Sequence, residues 1–410
     1  MNPQPQPAPP RLDTDALIDD RRTRIIVCCG SGGVGKTTAA AALGLRAAER
    51  GRHVVVLTVD PARRLAQSMG LTYLDNIPRP VDVDMSSGGS MHAMRLDMKR
   101  TFDEIVEAHS DPDRAAQILA NPFYQSLSSS FAGTQEYMAM EKLGQLHRTD
   151  QWDLIVVDTP PSRSALDFLD APQRLGRFLD GKLIRLLTAP ASPRRSYMKV
   201  LNAGFSLVTS TLTKVLGAQV LKDMQTFVTA FDTMFGGFRE RADSTYRLLQ
   251  TPGTSFLVVA APEPDALREA SYFVERLAGE RMPLAGLILN RVHVPAATKL
   301  SAARSLAAAE TLENGNGAAG GNGAAGGNGA AGADPAGDAG PPSYALAAGV
   351  LRLHAERMQL AARERRVAEH FTAAHPTVPV TEVAAQPEDV HDLKGLRTIG
   401  SSLANKPEPG

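Results

Sequence analysis

Short apolar runs alternate along this chain with longer stretches of helical period. Ile25 to Cys29, His53 to Val59, Ala93 to Leu96, Trp152 to Asp158, Ser255 to Ala261, Leu284 to Asn290 and Thr377 to Val380 read as strands, most of them β-branched and bounded by turn residues. The strongest of them are almost continuously apolar, the pattern of parallel strands covered on both faces. Helices are predicted from Lys36 to Arg50, where Gly51 supplies the stop, and from Pro61 to Met69. Further helical stretches run from Thr101 to Arg148 with a break at Asn121-Pro122, through Leu175 to Phe238, from Ser343 to Phe371, and from Asp389 to Leu403. The first strand, its helix and the second strand form a βαβ unit. The predicted fold is therefore α/β, with a mostly parallel central sheet flanked by helices and a helical subdomain inserted at about 99–150 and 172–245. One domain would span 23–403, between a disordered tail at 1–22 and a short tail at 404–410.

Two stretches stand apart from that rhythm. Val208, Leu212, Val215, Met224, Phe227, Phe231, Met234 and Phe238 share a helical stripe behind the basic pair Arg194-Arg195. Such a stripe packs as core or forms an adaptable apolar groove, since methionine suits irregular partners. Between Gly315 and Gly332 the hexapeptide Gly-Asn-Gly-Ala-Ala-Gly occurs three times, inside a biased stretch of about 313–342. It has too little apolar area to offset the entropy of ordering, and a flexible surface insertion is expected. The last predicted helix places Leu393, Leu396, Ile399 and Leu403 on one face, for docking on the sheet or for a membrane surface.

Composition narrows the class. Lys plus Arg number 44 and Asp plus Glu 44 over 410 residues, so no global field draws the chain to nucleic acid, and no nucleic-acid partner is expected. The two cysteines, Cys28 and Cys29, are adjacent on a strand and point to opposite faces, which prevents pairing and fits a reducing cytoplasm. The Pro- and Gln-rich start, Met1 to Pro10, lacks the pattern of a signal peptide.

The chemistry centres on Gly30-Ser31-Gly32-Gly33-Val34-Gly35-Lys36-Thr37-Thr38, which fits the phosphate-loop spacing between a strand and a helix. Its glycines permit close backbone approach, and the N–H groups at the helix start face the β-phosphate of a polyphosphate. Lys36, expected to face solvent, bridges β- and γ-phosphate oxygens, and the Thr37 hydroxyl holds Mg²⁺. Asp60, before Pro61, caps a helix or positions a water or Mg²⁺ at the sheet edge. Asp158, ending an apolar strand, is placed to accept from Mg²⁺-bound water beside Thr37. Asn290 at another strand end reads a base or makes a turn.

The loop, the Asp60-Pro61-Ala62 turn and Asp158-Thr159-Pro160-Pro161 together resemble the deviant-Walker ATPases of the arsenical-pump-driving and tail-anchored-protein-targeting family. Phe131-Ala132-Gly133-Thr134-Gln135-Glu136 resembles that family's helical-subdomain segment. The likeness implies a dimeric P-loop ATPase that opens and closes with Mg-ATP and acts on a hydrophobic protein client or a membrane transporter. It implies that Asp60 orients the attacking water, Asp158 opens switch II, Asn290 contacts adenine and Glu263 reaches the nucleotide across the dimer. Ser31 stands where the family carries its signature lysine, Ser164 where switch II carries a histidine, and the zinc-binding Cys-x-x-Cys is absent. Arsenite, a thiophile, has no cysteine trio here. Missing its trans lysine, this chain is expected to pair with a homologous ATPase subunit as a heterodimer rather than a homodimer, unless Arg63, Arg64 or Arg163 substitutes. Two alternatives are a weakly hydrolysing regulatory subunit of such a heterodimer and a partition or positioning ATPase.

Overall fold

The computed structural model describes residues 10–59, 64–84, 86–122, 124–125, 128, 134–160, 240–295, 297–319 and 344–404, with backbone alone at 64, 134–136 and 314–319. Eight strands form one sheet. In chain order they are β1 (Ile25–Cys29), β2 (His53–Thr58), β3 (Arg79–Pro80), β4 (Ser90–Arg95), β5 (Leu154–Asp158), β6 (Thr254–Ala260), β7 (Leu284–Val292) and β8 (Val380–Ala384). Their order across the sheet is β3-β4-β2-β5-β1-β6-β7-β8, and every pairing is parallel except β3 with β4. The mostly parallel sheet expected from the apolar runs is thus present, with β1 and β5 paired at its centre.

Side-chain alternation sorts each central strand onto two cores. Ile25, Val27 and Cys29 face one side with Val55, Leu57, Ile155, Val157, Phe256 and Val258. Ile26 and Cys28 face the other with Val54, Val56, Val156, Leu257 and Val259. Because both faces are dry, a one-residue slip in any central strand would exchange the two sets, so register is tightly specified. Helices cover both faces: α1 (Thr14–Asp19), α2 (Lys36–Glu49), α3 (Arg64–Ser68), α4 (Met98–His109), α5 (Pro112–Ala120), α6 (Thr134–Arg148), α7 (Pro264–Gly279), α8 (Ala302–Ala319), α9 (Tyr344–Ala374) and α10 (Leu393–Leu403). The alanines of α2 bring its backbone close to the sheet. At Gly44 a Cβ would stand 2.6 Å from Val56 Cγ2, so even alanine is too large there without a shift. Against the outer side of α2 packs α10, through Leu396, Ile399 and Leu403, which resolves that amphipathic face as a docked one.

Four expectations are corrected. The segment expected as a disordered tail is folded from residue 10: Arg11 bridges to Val380, Asp13 caps α1 by accepting from Ala16 N at 2.9 Å, and Leu12 and Ile18 are buried. The strand expected at Thr377 to Val380 begins at Val380 instead, because Pro379 has no N–H for the ladder. Of the biased stretch at about 313–342, the backbone up to Ala319 is helical, continuing α8 from its alanine-rich beginning, where propagation adds a hydrogen bond per residue. The last helix starts at Leu393, not near Asp389, since it is Asp392 that accepts from Gly395 N at 2.7 Å. The Met- and Phe-rich stripe at 208–238 lies outside the described residues.

What folds the N-terminal segment is a buried arginine. Arg52, 1% exposed, donates to the carbonyls of Ile18 at 2.7 Å, Thr23 at 2.6 Å and Asp153 at 2.5 Å. Burial pulls its pKa down from the ordinary arginine value. Beside it Arg46 grips Asp15 at 2.5 Å and Arg50 grips Asp19. Arg52→Met keeps much of the volume but leaves three carbonyls without this donor, at roughly 1–3 kcal/mol for each that water cannot reach. The expected result is a loss of about 3 kcal/mol or more in urea unfolding, with α1 the first segment to become protease-sensitive. A loss below about 1 kcal/mol would show that α1 is held by its apolar contacts instead.

Candidate functional site

Three strands end at the same edge of the sheet, and the phosphate loop lies over them. Asp158, the last residue of β5, is opposite Cys28 of β1 and Thr58 of β2. Its carboxylate has no solvent exposure and accepts from Thr37 Oγ1 at 2.7 Å and from Thr58 Oγ1 at 2.8 Å, both on Oδ2. The next residue, Thr159, is also buried, and its hydroxyl donates to the Cys28 carbonyl at 2.9 Å. The loop's hydroxyl and the strand-end carboxylate are thus in direct contact, closer than the water-bridged arrangement expected from the sequence. Thr58 went unnoticed: in a run of valines a β-branched threonine reads as a strand former, and only the register shows its hydroxyl against Asp158.

The loop is fastened to neighbouring backbone at glycines. Gly30, at φ +148°, lies so close to β6 that a Cβ would meet the Val259 carbonyl oxygen at 2.1 Å. Gly35, at φ +93°, caps α2 in the left-handed region, and its Cβ would meet Asn290 Nδ2 at 2.2 Å. Having no side chain, Gly35 places no capping group in front of the first N–H groups of α2, which is where an anion is favoured. Gly33 is also left-handed at φ +77°, and both Gly32 and Gly33 are exposed, while Val34 is buried.

Lys36 is not solvent-facing as expected but 6% exposed, and Nζ donates to the Ser31 carbonyl at 2.7 Å. A lysine curled onto its own loop keeps its charge hydrogen-bonded. Ser31 itself is half-buried, Thr38 continues the first turn of α2, and Asn290 donates from Nδ2 to the Val34 carbonyl at 2.8 Å. This asparagine clamps the loop, an arrangement that neither the base-reading nor the turn-residue expectation contained. Glu263 stands at the N-cap position of α7, beyond the end of β6, with its side chain exposed and making no capping bond. Asp60, Arg63, Arg163, Ser164 and Phe131 to Gly133 lie outside the described residues, as do the side chains of Arg64 and Thr134 to Glu136.

Oxygen donors on Thr37 and Asp158 fit a hard divalent cation such as Mg²⁺, which takes few protein ligands beside water and phosphate. The thiols suit no such role. Cys28 and Cys29 are buried in opposite cores. Burial, and then the nearby Asp158 carboxylate, push the Cys28 thiol well up, and burial pushes Cys29 up to about 12.

A profile of the family described as "Anion-transporting ATPase" matches residues 23–313. The chain is 28% identical over 171 residues to the protein named ATPase GET3 of Malassezia globosa, covering 42% of this chain and 48% of that relative. It is 23% identical over 282 residues to ATPase GET3 of Chaetomium globosum, covering 68% and 76%. A protein of Halobacterium salinarum provisionally named an arsenical pump-driving ATPase is 28% identical over 197 residues, 44% of this chain and 29% of the relative. The chain thus spans about half or less of the length of the first relatives it matches. Among the described residues no helix is long and apolar enough to cross a membrane.

The thiol geometry has a direct test. Neither Cys28 nor Cys29 should react with a soluble aromatic disulfide reagent in the folded protein, and both should react in urea. Stoichiometric labelling of the native chain within minutes would show that β1 opens to solvent.

Proposed function

The chain belongs to the anion-transporting ATPase family, and from that premise we propose that it binds and hydrolyses Mg-ATP as one subunit of a dimer. The observation that carries this reading is the Thr37 hydroxyl 2.7 Å from Asp158 beneath a loop built at Gly30 and Gly35 for close approach. ATP lies with its β-phosphate over the N–H groups of 32–37, where backbone donors and the helix N-terminus favour negative charge. Lys36 exchanges the Ser31 carbonyl for β- and γ-phosphate oxygens, a short swing from its present bond. Thr37 and Asp158 are the residues that would hold Mg²⁺, which would supply positive charge to offset that of the phosphates. Asp60, two residues beyond Thr58, orients the attacking water. Asn290 and Glu263 complete the nucleotide site at the ends of β7 and β6.

Subunit pairing follows from Ser31. A closed homodimer would face two triphosphates with no lysine at that position, and a cation aimed at transferring phosphate is worth about 10³ to 10⁵ in rate. We therefore favour a heterodimer in which a homologous subunit supplies the lysine. The nucleotide cycle would act on a hydrophobic protein client or a membrane transporter from the cytoplasm, with the Met- and Phe-rich stripe at 208–238 as the apolar contact. If the pair turns over only at the partner's site, this chain is its regulatory half, the reading that Ser31 favours second.

Lys36→Ala should abolish ATP binding in calorimetry while the far-ultraviolet dichroism stays native, whereas Asp60→Asn should bind ATP within a few-fold of wild type and lower kcat of the complete complex by orders of magnitude. Normal binding by the first variant removes the loop from the site; normal turnover by the second leaves Asp60 as a helix cap. For Ser31, the pure chain should turn over slowly, a lysine-bearing homologue should accelerate it at least tenfold, and Ser31→Lys should restore some activity to the chain alone. Fast hydrolysis by the pure wild-type chain, with no gain from the homologue, would refute the heterodimer.

A further inference from the structure

Beyond the nucleotide loop, the end of β7 is held in an unusual way. Leu289 pairs with Glu382 and Val292 with Ala384, so three steps along β7 match two along β8, the signature of a β-bulge. The residues inside it are Asn290 and Arg291, and Arg291 takes φ +63°, a left-handed value that an arginine adopts only when its surroundings enforce it. The bulge turns Asn290 onto the phosphate loop, where its amide reaches Val34. On one side the strand beyond the bulge is fixed by Ala385 N donating to the Val292 carbonyl at 2.9 Å. On the other, Glu364 of α9 takes the next residue with both carboxylate oxygens: Oε2 accepts from His293 N at 2.9 Å and Oε1 meets His293 Nδ1 at 2.6 Å. Glu364 is 8% exposed although it sits on a helix with many solvent-facing positions, and no alternative to this pair of bonds is needed to explain its burial.

We propose that Glu364 is a positioning residue for nucleotide binding: by holding His293 it fixes the bulge at Asn290–Arg291, and through Asn290 it fixes the loop at Val34. The inference rests on the reading of that loop as the ATP site. It also gives α9 a second task, since the same helix packs along α8 and there carries the exposed Leu346, Val350 and Leu353. A merely architectural Glu364 would anchor α9 and leave the loop alone.

The test is nucleotide affinity, measured on the full chain with ATP by calorimetry and, in the complete complex, as KM against kcat. Glu364→Ala should weaken ATP binding about fivefold and raise KM in proportion, with kcat at saturation within twofold of wild type. His293→Ala, which keeps the backbone bond, should give a smaller effect in the same direction. Glu364→Gln should restore binding to within twofold, because its carbonyl accepts from His293 N and its amide donates to Nδ1. Asn290→Ala should weaken binding by itself, and adding Glu364→Ala to it should cost little more, since both changes release the same contact. A lowered melting temperature with unchanged affinity in Glu364→Ala overturns the proposal, and so does full additivity with Asn290→Ala. Loss of binding in Lys36→Ala alongside those outcomes would leave the ATP site intact while the coupling fails.

Discussion

The functional edge is organised around a carboxylate with no solvent exposure of its own. Asp158 ends a strand buried on both faces, and an ionised group in such a place is tolerable only with donors aimed at it. Two of those donors come from different elements, Thr37 from the helix after the loop and Thr58 from the neighbouring strand. The arrangement therefore ties α2, β2 and β5 to one point, and the parallel register that brings Thr58 level with Asp158 is part of the site's chemistry. An open α/β sheet exposes its strand ends to ligands only along the carboxyl edge, which is why the loop, the carboxylate and Asn290 all lie there.

The opposite edge is built for a different purpose. There Arg52, Arg46 and Arg50 gather α1 against the start of the sheet with carbonyls and carboxylates as partners. Arg24 reaches Asp150 at 2.7 Å from the same side. These contacts close the amino ends of the strands, and none of them touches the loop. Arginines thus hold the amino edge together, while at the other edge Lys36 is bonded to the Ser31 carbonyl.

Most of the sheet was legible because apolar runs such as Ile25 to Cys29 and Leu154 to Val157 carry their structure locally, and the loop because its spacing is itself the chemistry. What stayed hidden was set by distance along the chain. The fold of α1 depends on Arg52 and on ion pairs to α2, and nothing in the proline-rich beginning announces those partners. Asn290 was singled out, but its contact is with Val34, 256 residues earlier, and a turn-prone residue at a strand end gives no hint of that address. Glu364 carries no signal of its own among the charges of a long helix; its burial is visible only once β7 is in place. The inward turn of Lys36 was hidden because loop spacing fixes the residue type and not the side-chain rotamer, which here brings Nζ to the Ser31 carbonyl.

The loop is accordingly held from three directions by its own scaffold. Gly30 lies against the Val259 carbonyl, Gly35 against the Asn290 amide, and Thr37 against Asp158. Gly30 is required by packing, since a Cβ would meet the Val259 backbone carbonyl, and Gly35 by its left-handed backbone at φ +93°. A loop already shaped by its scaffold loses less conformational freedom on binding an anion, and that saving appears as affinity rather than rate. On the function proposed above, rate must come from groups that engage only as charge develops, and a well-made loop with a serine at position 31 leaves that part to a second subunit.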